Sequence, residues 1–204
     1  MKSRIHSKLV MGAGLVGALS LILLFTMQSA ITDSIAQLLF GAASVWALRS
    51  SGILENSSEF PDFGSPSLQS IAKIAPWLVI LQLGMGIALR YKYMGAISHV
   101  LGAMLVGAFL LYFATGVLAP APKGHSARTA ALALLYVVSA QVLLGIAAYV
   151  IRFSDGSSNN ILPNTQIFTH LHSATAMLTF GVTLVLCEIT RRTARKQEEH
   201  ETVS

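Results

Sequence analysis

The sequence predicts an all-α protein, a polytopic membrane helix bundle with about six transmembrane helices. Hydrophobic residues make up 53% of the 204 residues and charged residues only 11%, whereas soluble domains carry roughly 25% charged residues. The charged residues leave six long uncharged runs, at 9–32, 34–48, 74–89, 94–122, 129–151 and 156–187. A bilayer core requires about 20 apolar residues per helix. This composition therefore excludes a soluble enzyme, a nucleic-acid binder and a disordered chain.

The uncharged runs give the order of elements along the chain. The first run resembles the apolar part of a signal peptide, but it is longer than the roughly 7–15 residues of such a segment, so we expect a retained helix. The second span is the shortest, because it lies between Asp33 and Arg49. The sixth span contains the lone cysteine, Cys187, so an internal disulfide is excluded. We place the spans at 9–29, 34–49, 71–89, 95–118, 129–151 and 165–188.

The basic residues near the span ends predict the orientation. Cytoplasmic ends of transmembrane helices carry an excess of Lys and Arg, and such residues precede the first span and follow the sixth. We therefore expect an integral protein of a bacterial or archaeal cytoplasmic membrane, with both termini cytoplasmic. On this topology Arg90 and Arg152 lie on the outer side, where basic residues are disfavoured, and the connection 154–164 is an outer turn. The expected segments are an N-terminal hairpin with a cytoplasmic loop (1–70), a four-helix membrane bundle (71–188) and a cytoplasmic tail (189–204).

An internal repeat organises the last four spans. Each copy has the order Gln-x-x-x-Gly-Ile-Ala, Arg, loop and His-x-x-x-Ala, so the four spans are two copies of one helical hairpin. Gln37 and Gly41 in the second span echo the first element, but no histidine follows them. The first copy contains Gln82, Gly86, Arg90 and His99, and the second contains Gln141, Gly145, Arg152 and His172.

The two repeated histidines are expected to face each other across the bundle. His99 and His172 lie near the outer ends of their spans, and the two hairpins run in the same direction, so the histidines have similar depth. Each lies on a stripe of small or mildly polar residues at helical spacing, which is typical of a bundle interior rather than a lipid-facing surface. His170 is two positions from His172 and points to roughly the opposite side, so we interpret it as a non-ligand.

A pair of facing histidines suits a haem iron. An ionisable residue inside a membrane span indicates a functional site. The alternative is that each histidine only forms a hydrogen bond to a neighbouring helix. Zinc usually takes at least three protein ligands and a di-iron site several carboxylates, whereas haem needs only two axial ligands. The two arginines on the outer side, Arg90 and Arg152, either bind the haem propionates or extend to the membrane interface. Gln82 and Gln141 either bond between helices or contact the surroundings of the ring.

This arrangement resembles the haem A synthase family of cytochrome oxidase assembly proteins over residues 74–187. Members of that family have two similar four-helix halves, each with a histidine on its second and fourth helix. The resemblance implies haem b as the cofactor, bound through iron by His99 and His172, and haem O as the substrate of an oxidoreductase. The family's catalytic glutamate stands three residues before a histidine, where this chain has Ala96 and Thr169, so we assign no catalytic residue. The family's paired cysteines also have no counterpart.

Three functions follow as hypotheses. The first is a haem b-binding membrane protein that acts in haem A biosynthesis or cytochrome oxidase assembly. The second is a non-enzymatic, electron-transferring b-type cytochrome subunit of a membrane respiratory complex, which a bis-histidine haem without a catalytic glutamate would suit. The third is a transporter or structural subunit without haem. The expected partners are the lipid bilayer and either a second copy of the chain, which would restore two halves, or a respiratory complex.

Overall fold

A computed structural model describes residues 2–26, 29–154 and 163–196, and the side chains of 7–26, 29–151 and 167–195. These residues form six helices, each long and apolar enough to cross a membrane. The predicted all-α membrane bundle is therefore confirmed, and the chain is an integral membrane protein. Two three-residue strands, β1 (Phe60–Asp62) and β2 (Ala194–Lys196), accompany the helices. The helices are α1 (Lys2–Thr26), α2 (Ala30–Ser50), α3 (Leu68–Arg90), α4 (Ala96–Leu118), α5 (Ser126–Ser154) and α6 (Pro163–Thr193).

The helix α2 is longer than the sequence predicts, and it includes an acidic residue. Ser29 caps its N-terminus by accepting a hydrogen bond from the Thr32 backbone N–H, and the Thr32 side chain accepts one from Ser29 in return. Asp33 consequently lies in the first turn of α2, where the helix dipole favours a negative charge, and its side chain is buried. The predicted start of the second span at residue 34 is therefore wrong, because the capping box places the first turn of α2 before and around Asp33.

Helices α3 to α6 form a four-helix bundle. α3 and α5 each pack against both α4 and α6, so α4 and α6 lie diagonally across the centre. The α1–α2 hairpin packs on the outside of this bundle, mainly through α2 against α6. The predicted pair of hairpins is thus a closed ring of four helices, with a third hairpin docked on one side.

Two glycines allow α2 and α6 to approach closely. A Cβ atom at Gly41 of α2 would collide with the ring of Phe180 and lie 2.9 Å from Leu184. Reciprocally, a Cβ atom at Gly181 of α6 would lie 2.8 Å from the ring of Phe40. Each helix therefore places a Phe ring over a glycine of the other helix. This reciprocal packing fixes the position of the α1–α2 hairpin against α6.

The end of the bundle at the loop between α2 and α3 is tied together by polar contacts. The buried carboxylate of Asp62 accepts hydrogen bonds from the backbone N–H groups of Gly64 at 3.1 Å and Leu68 at 2.7 Å. Ser67 caps the N-terminus of α3, because its side chain accepts a hydrogen bond from the Ser70 backbone N–H. Because these contacts satisfy donors that a helix start leaves unpaired, they fix the point at which α3 begins.

The start of the predicted tail belongs to this folded end. α6 runs to Thr193, and β2 then pairs in parallel with β1. Arg195 forms an ion pair with Glu59, while Arg49 and Arg192 both bind Glu188. The chain up to residue 196 is thus packed against the loop between α2 and α3, and residues 197–204 lie outside the described part.

The buried side chains of the bundle are concentrated in the half next to this loop. In α3 they end at Val79, in α4 they begin at Leu110 and in α5 they end at Val138. The other half, which contains both repeated histidines, is therefore less tightly filled by the protein's own side chains. No described side chain is fully buried in the segments 80–90, 96–109, 139–151 and 167–176.

Candidate functional site

The two repeated histidines face each other in the less filled half of the bundle. His99 lies one turn into α4, and His172 lies in the first half of α6. Their ring centroids are 6.4 Å apart, and the ring planes are perpendicular. The contact joins the two diagonal helices across the bundle centre, as the repeat predicts.

Each histidine lies against the glycine of its own repeat copy. A Cβ atom at Gly86 would be 3.2 Å from Cε1 of His99, and one at Gly145 would be 2.9 Å from Cε1 of His172. Separations this short are tighter than ordinary van der Waals contact. The glycines in the Gln-x-x-x-Gly motifs are therefore required for the imidazoles to pack this closely against the neighbouring helix.

The glutamine of each copy also contacts its histidine. The amide Nε2 of Gln82 is 3.0 Å from Nδ1 and 3.0 Å from the backbone oxygen of His99. The amide Nε2 of Gln141 is 3.3 Å from Nε2 of His172, and the backbone oxygen of Gln141 is 3.2 Å from Nδ1 of that ring. Of the two roles that the sequence leaves open, the structure shows interhelical bonding for both glutamines. In both copies the side-chain oxygen, Oε1, is buried with no hydrogen-bond partner in the described structure.

Arg90 is held by a buried acid from the outer hairpin. Its Nη1 lies 3.1 Å from Oδ2 of Asp33 and 3.4 Å from Oγ of Ser173. The Tyr91 hydroxyl donates to the same Asp33 oxygen at 3.1 Å. Burial raises the pKa of the Tyr91 phenol above its ordinary value, and the charge of Asp33 acts in the same direction, so the phenol remains a donor at neutral pH. The charge of Arg90 is thus neutralised within the protein.

Sequence reasoning did not find the role of Asp33, although a signal for it exists. An arginine at the end of a membrane span, such as Arg90, needs a partner of opposite charge. Asp33 is an acidic residue at the start of the second span. The side chain of Arg152, the matching arginine of the second copy, lies outside the described side chains. Most of the predicted outer turn at 154–164 also lies outside the described residues.

His170 lies outside the facing pair. Its ring is 5.5 Å from the ring of Phe25 on α1, measured between centroids. This places His170 on the side of α6 that meets the outer hairpin.

The facing pair offers two side-chain ligands rather than a larger cluster. Across the described residues, no group of three or more His, Cys, Asp or Glu side chains is arranged to hold a metal ion. Comparison of the chain with protein families, with curated proteins and with solved structures finds no match.

Proposed function

We propose that this membrane protein binds haem b between α4 and α6, with His99 and His172 as the axial ligands of the iron. The observation that carries the proposal is the 6.4 Å separation of the two ring centroids. Two imidazoles that share one metal atom have centroids about 6 Å apart, because each metal–nitrogen bond is about 2 Å long and each nitrogen lies about 1 Å from its ring centroid. The observed spacing is close to that value, and binding would turn one nitrogen of each ring toward the metal.

The surroundings of the pair also support a flat ligand. Gly86 and Gly145 let the imidazoles pack closely against the neighbouring helices, which leaves the space between α4 and α6 to the ligand. The half of the bundle around the pair has no fully buried side chain among the described segments, so a bound ring would bury side chains that are accessible without it. Helix bundles commonly hold cofactors in this position between facing helices.

The polar residues at the outer end would meet the haem periphery. Arg90 and Arg152 would bind the propionates, with Arg90 shared between a propionate and Asp33, to which it is already paired. Gln82 and Gln141 would lie beside the axial ligands. When bound, haem supplies one-electron transfer at iron, while the protein residues hold the ring and set the orientation of both imidazoles.

We assign this haem site to haem A formation or cytochrome oxidase assembly, with haem O as the substrate class. The support is the resemblance of residues 74–187 to one half of the haem A synthase family. The protein would lie in a bacterial or archaeal cytoplasmic membrane with both termini cytoplasmic, and a second copy would complete a two-half architecture. A second candidate is an electron-transferring b-type subunit of a respiratory complex, which Ala96 and Thr169 favour because they replace the family's catalytic glutamate.

The test of the haem proposal is a reduced-minus-oxidised spectrum of the purified protein, with the pyridine haemochrome to identify the haem. We expect a bis-histidine haem b spectrum that disappears in His99→Ala and in His172→Ala. His170→Ala is the matched control on the same helix, and its spectrum should equal that of the wild type. A folded wild-type protein without haem would overturn the proposal, and the histidines would then be interhelical hydrogen bonders.

Supplying haem O separates the two roles. A synthase-like protein should convert haem O to a hydroxylated product in the presence of oxygen and a reductant, detected by mass spectrometry of the extracted haem. Recovery of unchanged haem O, together with copurification of a larger respiratory complex, would favour the electron-transfer role instead.

The close contact between Gly145 and His172 gives a further prediction. Gly145→Ala should lower the haem content of the purified protein, because the new Cβ would lie 2.9 Å from His172 and force the imidazole out of its position. Gly84→Ala is the control on α3, since a Cβ there meets nothing within 4 Å. Haem content per protein measures both, and equal values for the two variants would contradict the proposed position of His172.

A further inference from the structure

A cluster of two arginines and one acid joins α2 to α6, at the end of the bundle next to the loop between α2 and α3. Arg49 lies in the last turn of α2, and Arg192 lies in the last turn of α6. Both side chains contact Glu188, one turn before Arg192 on α6. Glu188 is sixteen residues, or about 24 Å along the helix, from His172, so the cluster is separate from the facing histidines.

The two guanidinium groups converge on one oxygen atom. Nε and Nη2 of Arg49 are both 3.0 Å from Oε1 of Glu188. Nε and Nη2 of Arg192 are 2.9 Å and 2.8 Å from the same oxygen. A guanidinium has five N–H donors and no acceptor, and these contacts use only the edge formed by Nε and Nη2. The Nη1 groups of both arginines can therefore donate to a second anion.

The cluster has an excess of positive charge, and this charge faces outward. The single carboxylate of Glu188 balances only one of the two guanidinium groups. The Glu188 side chain is 10% exposed, whereas the side chains of Arg49 and Arg192 are 57% and 51% exposed. An approaching molecule therefore meets the arginines rather than the carboxylate.

An exposed apolar stripe of α2 leads to this cluster. Leu39, Ala42 and Trp46 are exposed and recur at intervals of three or four residues, so they share one face of α2 with Arg49. In a membrane this face contacts acyl chains. Tryptophan is enriched at the level of lipid headgroups, and Arg49 lies one turn beyond Trp46, at the polar end of the stripe.

We propose that Arg49 and Arg192 bind the phosphate of an anionic phospholipid between the ends of α2 and α6. Basic pockets between transmembrane helices bind anionic lipid headgroups, and arginine binds phosphate through parallel hydrogen bonds. The phosphate contacts the outward edges of the two guanidinium groups, and the acyl chains follow the apolar stripe of α2. The stripe identifies a lipid, rather than a soluble phosphate, as the ligand.

Native mass spectrometry of the purified full chain in detergent tests the site, with phosphatidylglycerol as the probe. Arg49→Gln and Arg192→Gln should each weaken binding of the first lipid molecule about fivefold, the factor for about 1 kcal/mol per basic residue near an anionic headgroup. Arg195→Gln is the matched control, because it removes the same charge from a one-to-one pair with Glu59 at the same end. This control should bind as the wild type does. Equal weakening in all three variants would overturn the site, because the effect would then follow net charge alone.

Glu188→Gln gives a test with the opposite sign. Without the carboxylate, both positive charges of the cluster attract the phosphate, so the affinity for phosphatidylglycerol should rise. Damage to the fold would lower the affinity instead, and the apparent unfolding temperature in detergent identifies such damage. An affinity below that of the wild type in a folded Glu188→Gln protein would contradict phosphate binding by the two arginines.

The source of the phosphate is tested by the rise in unfolding temperature that each probe causes. Phosphatidylglycerol should raise the unfolding temperature of the wild type more than that of Arg49→Gln. Phosphatidylcholine should have a smaller effect, because its choline cation offsets the phosphate charge, and inorganic phosphate at equal ionic strength should have none. An equal effect of the two lipids would overturn the role of charge. A rise caused by inorganic phosphate equal to that caused by phosphatidylglycerol would assign the site to a soluble anion and overturn the lipid.

Discussion

Arg90→Gln is expected to destabilise the protein by about 3–5 kcal/mol, because removal of one partner leaves a buried charge without its counter-ion. The Asp33 side chain is 1% exposed and the Arg90 side chain 15% exposed, with Nη1 and Oδ2 3.1 Å apart. The pair also joins α2 to the end of α3, so its loss weakens the docking of the outer hairpin. The Tyr91 hydroxyl remains as a neutral donor to the same carboxylate, which compensates only in part.

The measurement is the apparent unfolding temperature of the purified protein in detergent, with no haem supplied. Arg195→Gln is the control, because both side chains of the Arg195–Glu59 ion pair are exposed. Such exposed pairs contribute about 0–1 kcal/mol. The double variant Asp33→Asn, Arg90→Gln should recover much of the stability, because neither buried charge remains. An Arg90→Gln protein as stable as Arg195→Gln would show that the buried pair does not hold the hairpin.

Gly41→Ala is expected to destabilise the protein by about 1–3 kcal/mol through overpacking. The new methyl group would overlap the ring of Phe180 and lie 2.9 Å from Leu184. Phe180 is itself 3% exposed, so the ring has little room to move away. α2 must therefore shift outward from α6, which weakens the contact made by Phe40 over Gly181 on the same interface.

The control for this substitution is Gly107→Ala on α4, where a Cβ meets nothing within 4 Å. Because alanine has the higher helix propensity by about 1 kcal/mol, that variant should be as stable as the wild type or more so. Thermal unfolding in detergent compares the two. If Gly41→Ala also raises the unfolding temperature, the close packing of α2 on α6 is not what fixes the hairpin.

The repeat shows how far a local pattern predicts a site. Gln82 with Gly86, and Gln141 with Gly145, recur before an arginine and a histidine, and the structure places each glutamine and glycine against the histidine of the same copy. The pattern is readable because both members of each contact belong to one hairpin. The partial copy of the motif in α2, formed by Gln37 and Gly41, has no histidine after it. Its Gly41 instead leaves room for the ring of Phe180.

The sequence by itself determined the six membrane helices, the two-copy repeat and the depth of His99 and His172, because uncharged length and helical spacing are local properties that a bilayer enforces. The tertiary structure alone decided the pairing of Arg90 with Asp33 and the pairing of β2 with β1. Those contacts join segments that are distant along the chain, and no periodicity in the sequence encodes them.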